Sequence, residues 1–581
     1  VKTLRPVDVV IVGGGWTGLT MAKELATRTA LKILVLERGG PRKTRDYFDS
    51  MDELDYAVRL RMMQPIRDET VTFRHSMRDR ALPIRQYGSF LPGTGVGGSG
   101  EHWSGISYRY YPHDFRRLSH FVEKYGRERL PEDCDVRDWP ITYDELEPDY
   151  DRAERLMGIS GKAGNLRGSK IEGGNIFEGP RGSEYPTPPM KMPHLAALFR
   201  DGAHSLGYHP FPLPAATTSV AYTNPDGVAR AGCSYCGYCE RFGCMIGAKA
   251  QPTNTLIPVL AHQTNFELRT GAWVRRVIVE GGRVRGVRYM DPQGEEIFQP
   301  ADLVFLASWT LNNTRLLLLS GVGEPYDPKT GKGVVGRNLT HQVSVPAATV
   351  FFEKPLNGFM GAGSAGVAIG DFDAMDHSHV NFCSGGALYT VCYGTRPIAN
   401  FGFVPPSVTA RWGPEWKKAA LHYYDRTGLV RFYGEHLAYR GNYMDLDPVY
   451  KDRYGDPLIR MTLDWRDNEG NMVQFMTARA VEIGRAMGAV EIRPFPGLGR
   501  YEATRYQGTH VQGGTIIGAN HTDSVVNRYL QHWRVPNLFL LGAAAFPQNP
   551  SGNPTLTAVA LTYRAADAVI QRYLKNPGEL I

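Results

Sequence analysis

Four cysteines crowd into one short stretch of this chain, Cys233-Ser-Tyr-Cys-Gly-Tyr-Cys-Glu-Arg-Phe-Gly-Cys244. Separations of two, two and four residues put Cys233, Cys236, Cys239 and Cys244 on one loop, as iron-sulfur or zinc binding requires of soft thiolate ligands. Neither Cys-x-x-Cys is followed by histidine, which excludes a c-type haem. Near the N-terminus, Gly13-Gly-Gly-Trp-Thr-Gly18 carries a second kind of chemistry. Gly13 permits a tight turn, Gly15 lets the backbone approach a pyrophosphate, and Gly18 allows a helix to pack closely on a strand; the helix N-terminus adds free N–H groups and its positive dipole end. Glu37, followed by Arg38, is placed to accept hydrogen bonds from ribose hydroxyls. The pattern reads as a dinucleotide site and does not choose between FAD and NAD.

These groups need elements to hold them. A strand over 7–12, the glycine turn, an apolar helix and a second strand over 32–36 ending at Glu37 make a βαβ unit. Residues 266–307 read as strands around the turns Gly281-Gly282 and Gln293-Gly294, with the apolar run 303–307 returning to the nucleotide sheet. Thr142-Tyr-Asp-Glu145 has the form of a capping box ahead of a helix over 146–157. Residues 41–90 are poorly periodic, 158–232 read as a long irregular connection, and 340–500 are rich in aromatics and turns.

A chain of 581 residues is expected to form two or three interleaved domains. Its net charge of +7 comes from 66 basic and 59 acidic residues without a long run of one sign, so nucleic acid is set aside. No apolar stretch approaches the roughly 18 to 20 residues that span a bilayer. A strand-like run begins almost at once, so the sequence offers no cleavable leader and is expected to be cytoplasmic or already processed. Cys134, Cys383 and Cys392 lie far apart, which argues against a disulfide scaffold.

Several segments, in order along the chain, resemble the glucose-methanol-choline (GMC) oxidoreductases. They are the fingerprint, Gly95-Val-Gly-Gly-Ser-Gly-Glu-His-Trp103, Leu303-Val-Phe-Leu-Ala-Ser308, residues 316–323, Val335-Gly-Arg-Asn-Leu339 and residues 542–557. Within the family the likeness is to the flavoprotein large subunits of membrane-bound sugar dehydrogenases of the gluconate 2-dehydrogenase kind. It implies an α/β (α+β) fold, with a Rossmann-like FAD domain (1–45, 90–110, 225–335 and 500–581) interleaved with a substrate domain on an antiparallel sheet and its connecting segments (46–89, 111–224 and 336–499). It also implies FAD, with its ring near Gly97, Gly98, Gly542, Ala543 and Thr555 and its adenine near Val274. Thr340-His341, where many members have Asp-His, and Gly542-Ala543, in place of an Asp-containing turn, depart from the family pattern.

By residue type alone, His510 is a structural histidine and Asn553 a helix cap. The resemblance makes His510, rather than His521 or His532, the general base for a substrate hydroxyl, and Asn553 its partner on the same oxygen, just ahead of Pro554 and a helix over about 555–570. It also makes His102, beside Trp103, the point of covalent attachment of FAD; an unlinked His-Trp pair on the ring reads identically. It assigns a [3Fe-4S] cluster to Cys233, Cys239 and Cys244 with Cys236 as an extra thiol, while four ligands keep [4Fe-4S] and zinc open. The expected reaction is oxidation of a sugar, sugar acid or polyol, with electrons leaving through the cluster to a multihaem cytochrome c. The family also implies a small subunit with a twin-arginine signal that brings the chain to the periplasmic face of the membrane. An oxygen-using sugar oxidase and an electron-transfer flavoprotein without its own substrate are the rival readings.

Overall fold

Long apolar runs lacking polar alternation belong in a sheet covered on both faces, and Val9, Val10, Ile11, Leu34 and Val35 are fully buried in one. The computed structural model describes residues 1–49, 51–86, 91–358, 361–392, 396–505 and 509–580. In it, strand Val7–Val12 lies between Ile33–Glu37 and the end of the long strand Glu296–Leu306, all parallel, with Val9 opposite both Ile33 and Leu303. Phe266–Thr270 extends the sheet beyond Ile33–Glu37, and Leu538–Leu540 extends it beyond residues 304–306, again in parallel. The first part of Glu296–Leu306 pairs antiparallel with Arg283–Met290, which pairs antiparallel with Trp273–Glu280. Gly281 and Gly282 turn between these two strands at φ of +57° and +72°, where the sequence placed the turn.

Helix Trp16–Arg28 packs on helix Thr555–Ala568, which packs on helix Tyr143–Met157. The last of these lies in the stretch read from sequence as substrate-binding and connecting segments, and it shares one hydrophobic core with the nucleotide sheet. Its capping box forms: the Glu145 N–H donates to Thr142 Oγ1 at 3.3 Å, and the Thr142 N–H donates to Glu145 Oε2 at 2.9 Å. Thr142→Ala is expected to lower stability by about 1 kcal/mol, read as a shift in the urea unfolding midpoint with unchanged slope.

A second sheet has six antiparallel strands, in the order Glu491–Pro494, Val343–Phe351, Thr427–Gly434, Gly386–Val391, Gly366–Ile369 and Pro210–Pro212. Helices Asp467–Ala486 and His194–Ser205 pack against it and complete a second core. Mixed helix and sheet in two cores is the expected class of fold. Among the described residues no helix is long and apolar enough to cross a membrane.

Candidate active site

A cavity of about 300 Å³ opens where the glycine turn, the 97–103 segment, residues 509–511 and the start of helix Thr555–Ala568 meet. It brings together Gly13, Gly15, Glu37, Arg38, Gly97, Gly98, His102, Trp103, Val274, His510, Gly542, Ala543, Asn553 and Thr555, which the sequence scatters over most of its length. Gly18 is not on its wall. A Cβ there would lie 2.0 Å from the Gly13 carbonyl oxygen and 3.2 Å from Ala307 Cβ, so this glycine serves packing of helix on strand. Gly15, Gly98 and Gly542 differ: a Cβ on them would meet only Gly97 O at 3.9 Å, Gly15 Cα at 3.6 Å and Thr17 Oγ1 at 3.8 Å. The protein itself leaves room at these three, and what a side chain would take is cavity.

Glu37 is buried and ties three loops together. Its Oε2 accepts the Gly14 N–H at 2.9 Å, and its Oε1 accepts those of Gly39 at 2.8 Å and Gly95 at 3.1 Å. Arg38 pairs with Glu69 and lies over the Trp273 ring, 5.3 Å from its centroid. His102 donates from Nε2 to the Leu91 carbonyl at 3.2 Å, whereas its Nδ1 is buried with no hydrogen-bond partner among the described residues. Burial, with Arg42 and Lys249 nearby, pushes its pKa down to about 3, so the ring is neutral. Trp103 donates from Nε1 to the Ala250 carbonyl at 2.8 Å and meets Trp16 edge-on at 5.7 Å.

His510 directly precedes the short strand Val511–Gln512, which pairs with Thr340–His341. Its Nδ1 is 2.6 Å from Gln342 Oε1, and its Nε2 is 3.4 Å from Asn553 Nδ2. Burial, with the His341 imidazole nearby, pushes its pKa down to about 3. A neutral imidazole has one ring nitrogen free to accept a proton. Asn553 Oδ1 is buried without a hydrogen-bond partner among the described residues, and the Tyr433 ring lies 5.9 Å from that of His510. A base beside a hydrogen-bonding amide, next to a glycine-lined nucleotide cradle, suits removal of a proton and hydride from an alcohol carbon.

A profile of the GMC oxidoreductases matches residues 191–344 and 438–562. The gluconate 2-dehydrogenase flavoprotein of Pantoea cypripedii is 44% identical over 593 residues, covering 100% of this chain and 96% of that one. This chain belongs to the GMC oxidoreductase family. The fructose dehydrogenase large subunit of Gluconobacter japonicus is 28% identical, with 97% of each chain covered. The crystal structure of pyridoxine 4-oxidase from Mesorbium loti covers 98% of this GMC oxidoreductase and 100% of its own chain, with a TM-score of 0.59 at 18% identity, a likeness of fold.

As a GMC oxidoreductase the chain is an FAD-dependent enzyme acting on CH–OH groups. The open positions Gly15, Gly98 and Gly542, the helix N-terminus at Thr555 and the unpartnered atoms of His102 and Asn553 fit that cofactor.

The cysteines stand apart from this cavity; none of the four in the loop lines it, although Glu240 and Arg241 do. Among the described residues no three His, Cys, Asp or Glu side chains converge to hold a metal ion, and the four cysteines of the loop are free thiols. Cys233 packs against the apolar cluster that buries Cys239. Cys233 accepts the Tyr235 N–H at 3.3 Å, Cys244 accepts that of Lys249 at 3.5 Å, and Cys239 is buried against Met190, Ala362 and Ala365. Burial pushes the thiols of Cys233 and Cys239 up to about 12 and about 11.

Two residues of the GMC oxidoreductase site carried no sequence signal. Lys249 is fully buried, and its Nζ donates to the carbonyls of Trp103, Cys239 and Phe242, each at 2.8 Å, joining the 97–103 segment to the cysteine loop. Gln342 is the partner of His510. It follows Thr340-His341, the phrase where the family pattern breaks, and that break was the one available hint.

Proposed function

We propose that this chain is a dehydrogenase of a sugar acid, sugar or polyol, with an aldonic acid such as gluconate as the leading substrate class. The observation that carries the reading is the His510–Asn553 pair, 3.4 Å apart on the wall of the glycine-lined cavity. Bound FAD supplies the acceptor for the hydride of the alcohol carbon. His510 takes the hydroxyl proton at Nε2, and Asn553 holds the same oxygen through a hydrogen bond from Nδ2. Helix Thr555–Ala568 starts two residues beyond Asn553, and its positive end favours negative charge that develops beside it. With its pKa held near 3, His510 is unprotonated throughout the neutral range and is ready to act as a base.

The names of the two relatives, a gluconate 2-dehydrogenase flavoprotein and a fructose dehydrogenase large subunit, support the substrate class and support partner subunits. On this reading the chain works at the periplasmic face of the membrane with a small subunit and a cytochrome c, and a [3Fe-4S] cluster on Cys233, Cys239 and Cys244 rests on the donor chemistry of the loop alone. The test is anaerobic mixing with gluconate, glucose, fructose, sorbitol and 2-ketogluconate while the flavin absorbance is recorded, together with iron and acid-labile sulfide analysis. Bleaching by gluconate in preference to the neutral sugars is the expected result. Failure of every compound to bleach the flavin overturns the dehydrogenase reading, and absence of iron removes the cluster.

A further inference from the structure

An imidazole can act as a base toward the cavity only if its proton sits on the nitrogen turned away, and a side chain outside the expected set controls this. We infer that Gln342 is a positioning residue that fixes the His510 tautomer and anchors the turn carrying Asn553. The inference rests on the reading of His510 as the base.

The two ends of a glutamine amide have nearly the same shape, so its orientation must be argued from its partners. One end of the Gln342 amide faces three carbonyl oxygens, those of Pro550 at 3.1 Å, Ser551 at 2.6 Å and Gly552 at 3.1 Å. Carbonyls accept and never donate, so this end is the NH₂. The other end is therefore Oε1, 2.6 Å from His510 Nδ1. An amide oxygen also only accepts, so Nδ1 carries the proton and Nε2 presents its lone pair toward Asn553 and the cavity. Reversing the amide would set its oxygen against those three carbonyls in a fully buried position, leaving polar groups without partners.

The backbone holds both residues at the same spacing. Thr340 lies opposite Gln512 and His341 opposite Val511 in the strand pair, the Gln342 N–H donates to the His510 carbonyl at 3.3 Å, and Asn549 Nδ2 donates to the same carbonyl at 2.7 Å. One buried side chain thus grips the base by its Nδ1–H and the three carbonyls just ahead of Asn553. The Gln342 amide, the Asn553 amide and the Tyr433 phenol around the imidazole are neutral, and the His341 imidazole on the paired strand disfavours a positive charge on His510. A neutral partner orients the ring without stabilising the imidazolium, as a carboxylate in its place would.

The experiment compares wild type with Gln342→Met, which keeps length and removes both sets of hydrogen bonds, and with Gln342→Glu. Limiting rates of anaerobic flavin reduction and substrate dissociation constants are measured from about pH 5 to pH 9, and flavin content is measured for each protein. Gln342→Met is expected to lower the limiting rate about 10- to 100-fold, with the dissociation constant within about twofold of wild type and full flavin content. Gln342→Glu sets a second oxygen against the same three buried carbonyls, so it is expected to keep its proton there, to accept from His510 Nδ1 as the amide does, and to hold the rate within about threefold of a wild-type rate that is flat with pH. A wild-type rate in Gln342→Met overturns the inference, as does a rate in Gln342→Glu no higher than that of Gln342→Met. If either variant loses its flavin, the wild-type profile decides: a rate flat down to about pH 5 supports an amide-held neutral imidazole, and an acid limb near pH 6.5 overturns it. Loss of reduction in His510→Ala but not in Gln342→Met removes the positioning role alone; retention of reduction in His510→Ala removes the base itself.

Discussion

In His510→Ala the rate of anaerobic flavin bleaching by a saturating substrate falls about 10³-fold, while flavin content stays that of wild type. The size follows from the lack of a substitute base. Asn553 carries an amide, which does not accept a proton near neutrality. Burial raises the pKa of the Tyr433 phenol, which therefore stays protonated. His341 holds its Nδ1 against the Tyr501 hydroxyl at 2.8 Å and does not line the cavity. The fold tolerates the change because the bonds that fix this stretch, Asn549 to the His510 carbonyl and the pairing of residues 511–512, run through the backbone. Bleaching at the wild-type rate would mean that the pair is not catalytic and would favour a flavoprotein without its own substrate.

Gly15→Val and Gly18→Val are expected to fail in opposite ways. At Gly18 a Cβ would lie 2.0 Å from the Gly13 carbonyl oxygen, so the helix must move off the strand. Overpacking of this kind costs about 3 kcal/mol or more and is expected to give little folded protein. Gly15 has φ of −91° and ψ of −167°, an extended conformation open to any residue, and its nearest foreign atom would be 3.9 Å away. Gly15→Val should therefore fold, with an apo-protein within about 1 kcal/mol of wild-type apo-protein. Its isopropyl group occupies the space through which the backbone meets a pyrophosphate, so bound FAD is expected to drop below about a tenth of stoichiometric. The measurements are flavin absorbance after purification and thermal unfolding of the two apo-proteins. Stoichiometric FAD in Gly15→Val would place the nucleotide elsewhere.

What was legible in the sequence is what is local. The fingerprint at 13–18, the apolar strands around it and the capping box at 142–145 each lie within a few residues, so their geometry follows from chain stereochemistry and spacing. The resemblance to GMC oxidoreductases extended this to His510 and Asn553, which carry no such local signal and are 43 residues apart. The resemblance implied an antiparallel sheet, but its strands and their order were not legible, because its neighbours come from residues as distant as 210–212 and 366–369 and their order is not that of the chain. Helix Tyr143–Met157 was seen but the core it joins was not, since a capping box marks where a helix starts and says nothing about the face it packs on.

The cysteines make the same division from the other side. Their spacing is a property of the chain, whereas convergence of the sulfurs depends on loop geometry, and among the described residues they form no metal-holding group. Gln342 is the clearest case of what the tertiary structure alone decided. A lone glutamine has no motif, and its role exists only because strand pairing sets residues 340–341 against 511–512 and the chain returns with 550–552 to meet its amide. By itself the sequence determined the nucleotide-binding unit and, through resemblance, pointed to His510 as the base. The fold determined which nitrogen of that histidine is free to act, because hydrogen-bond direction is fixed by partners that only three-dimensional packing brings within reach.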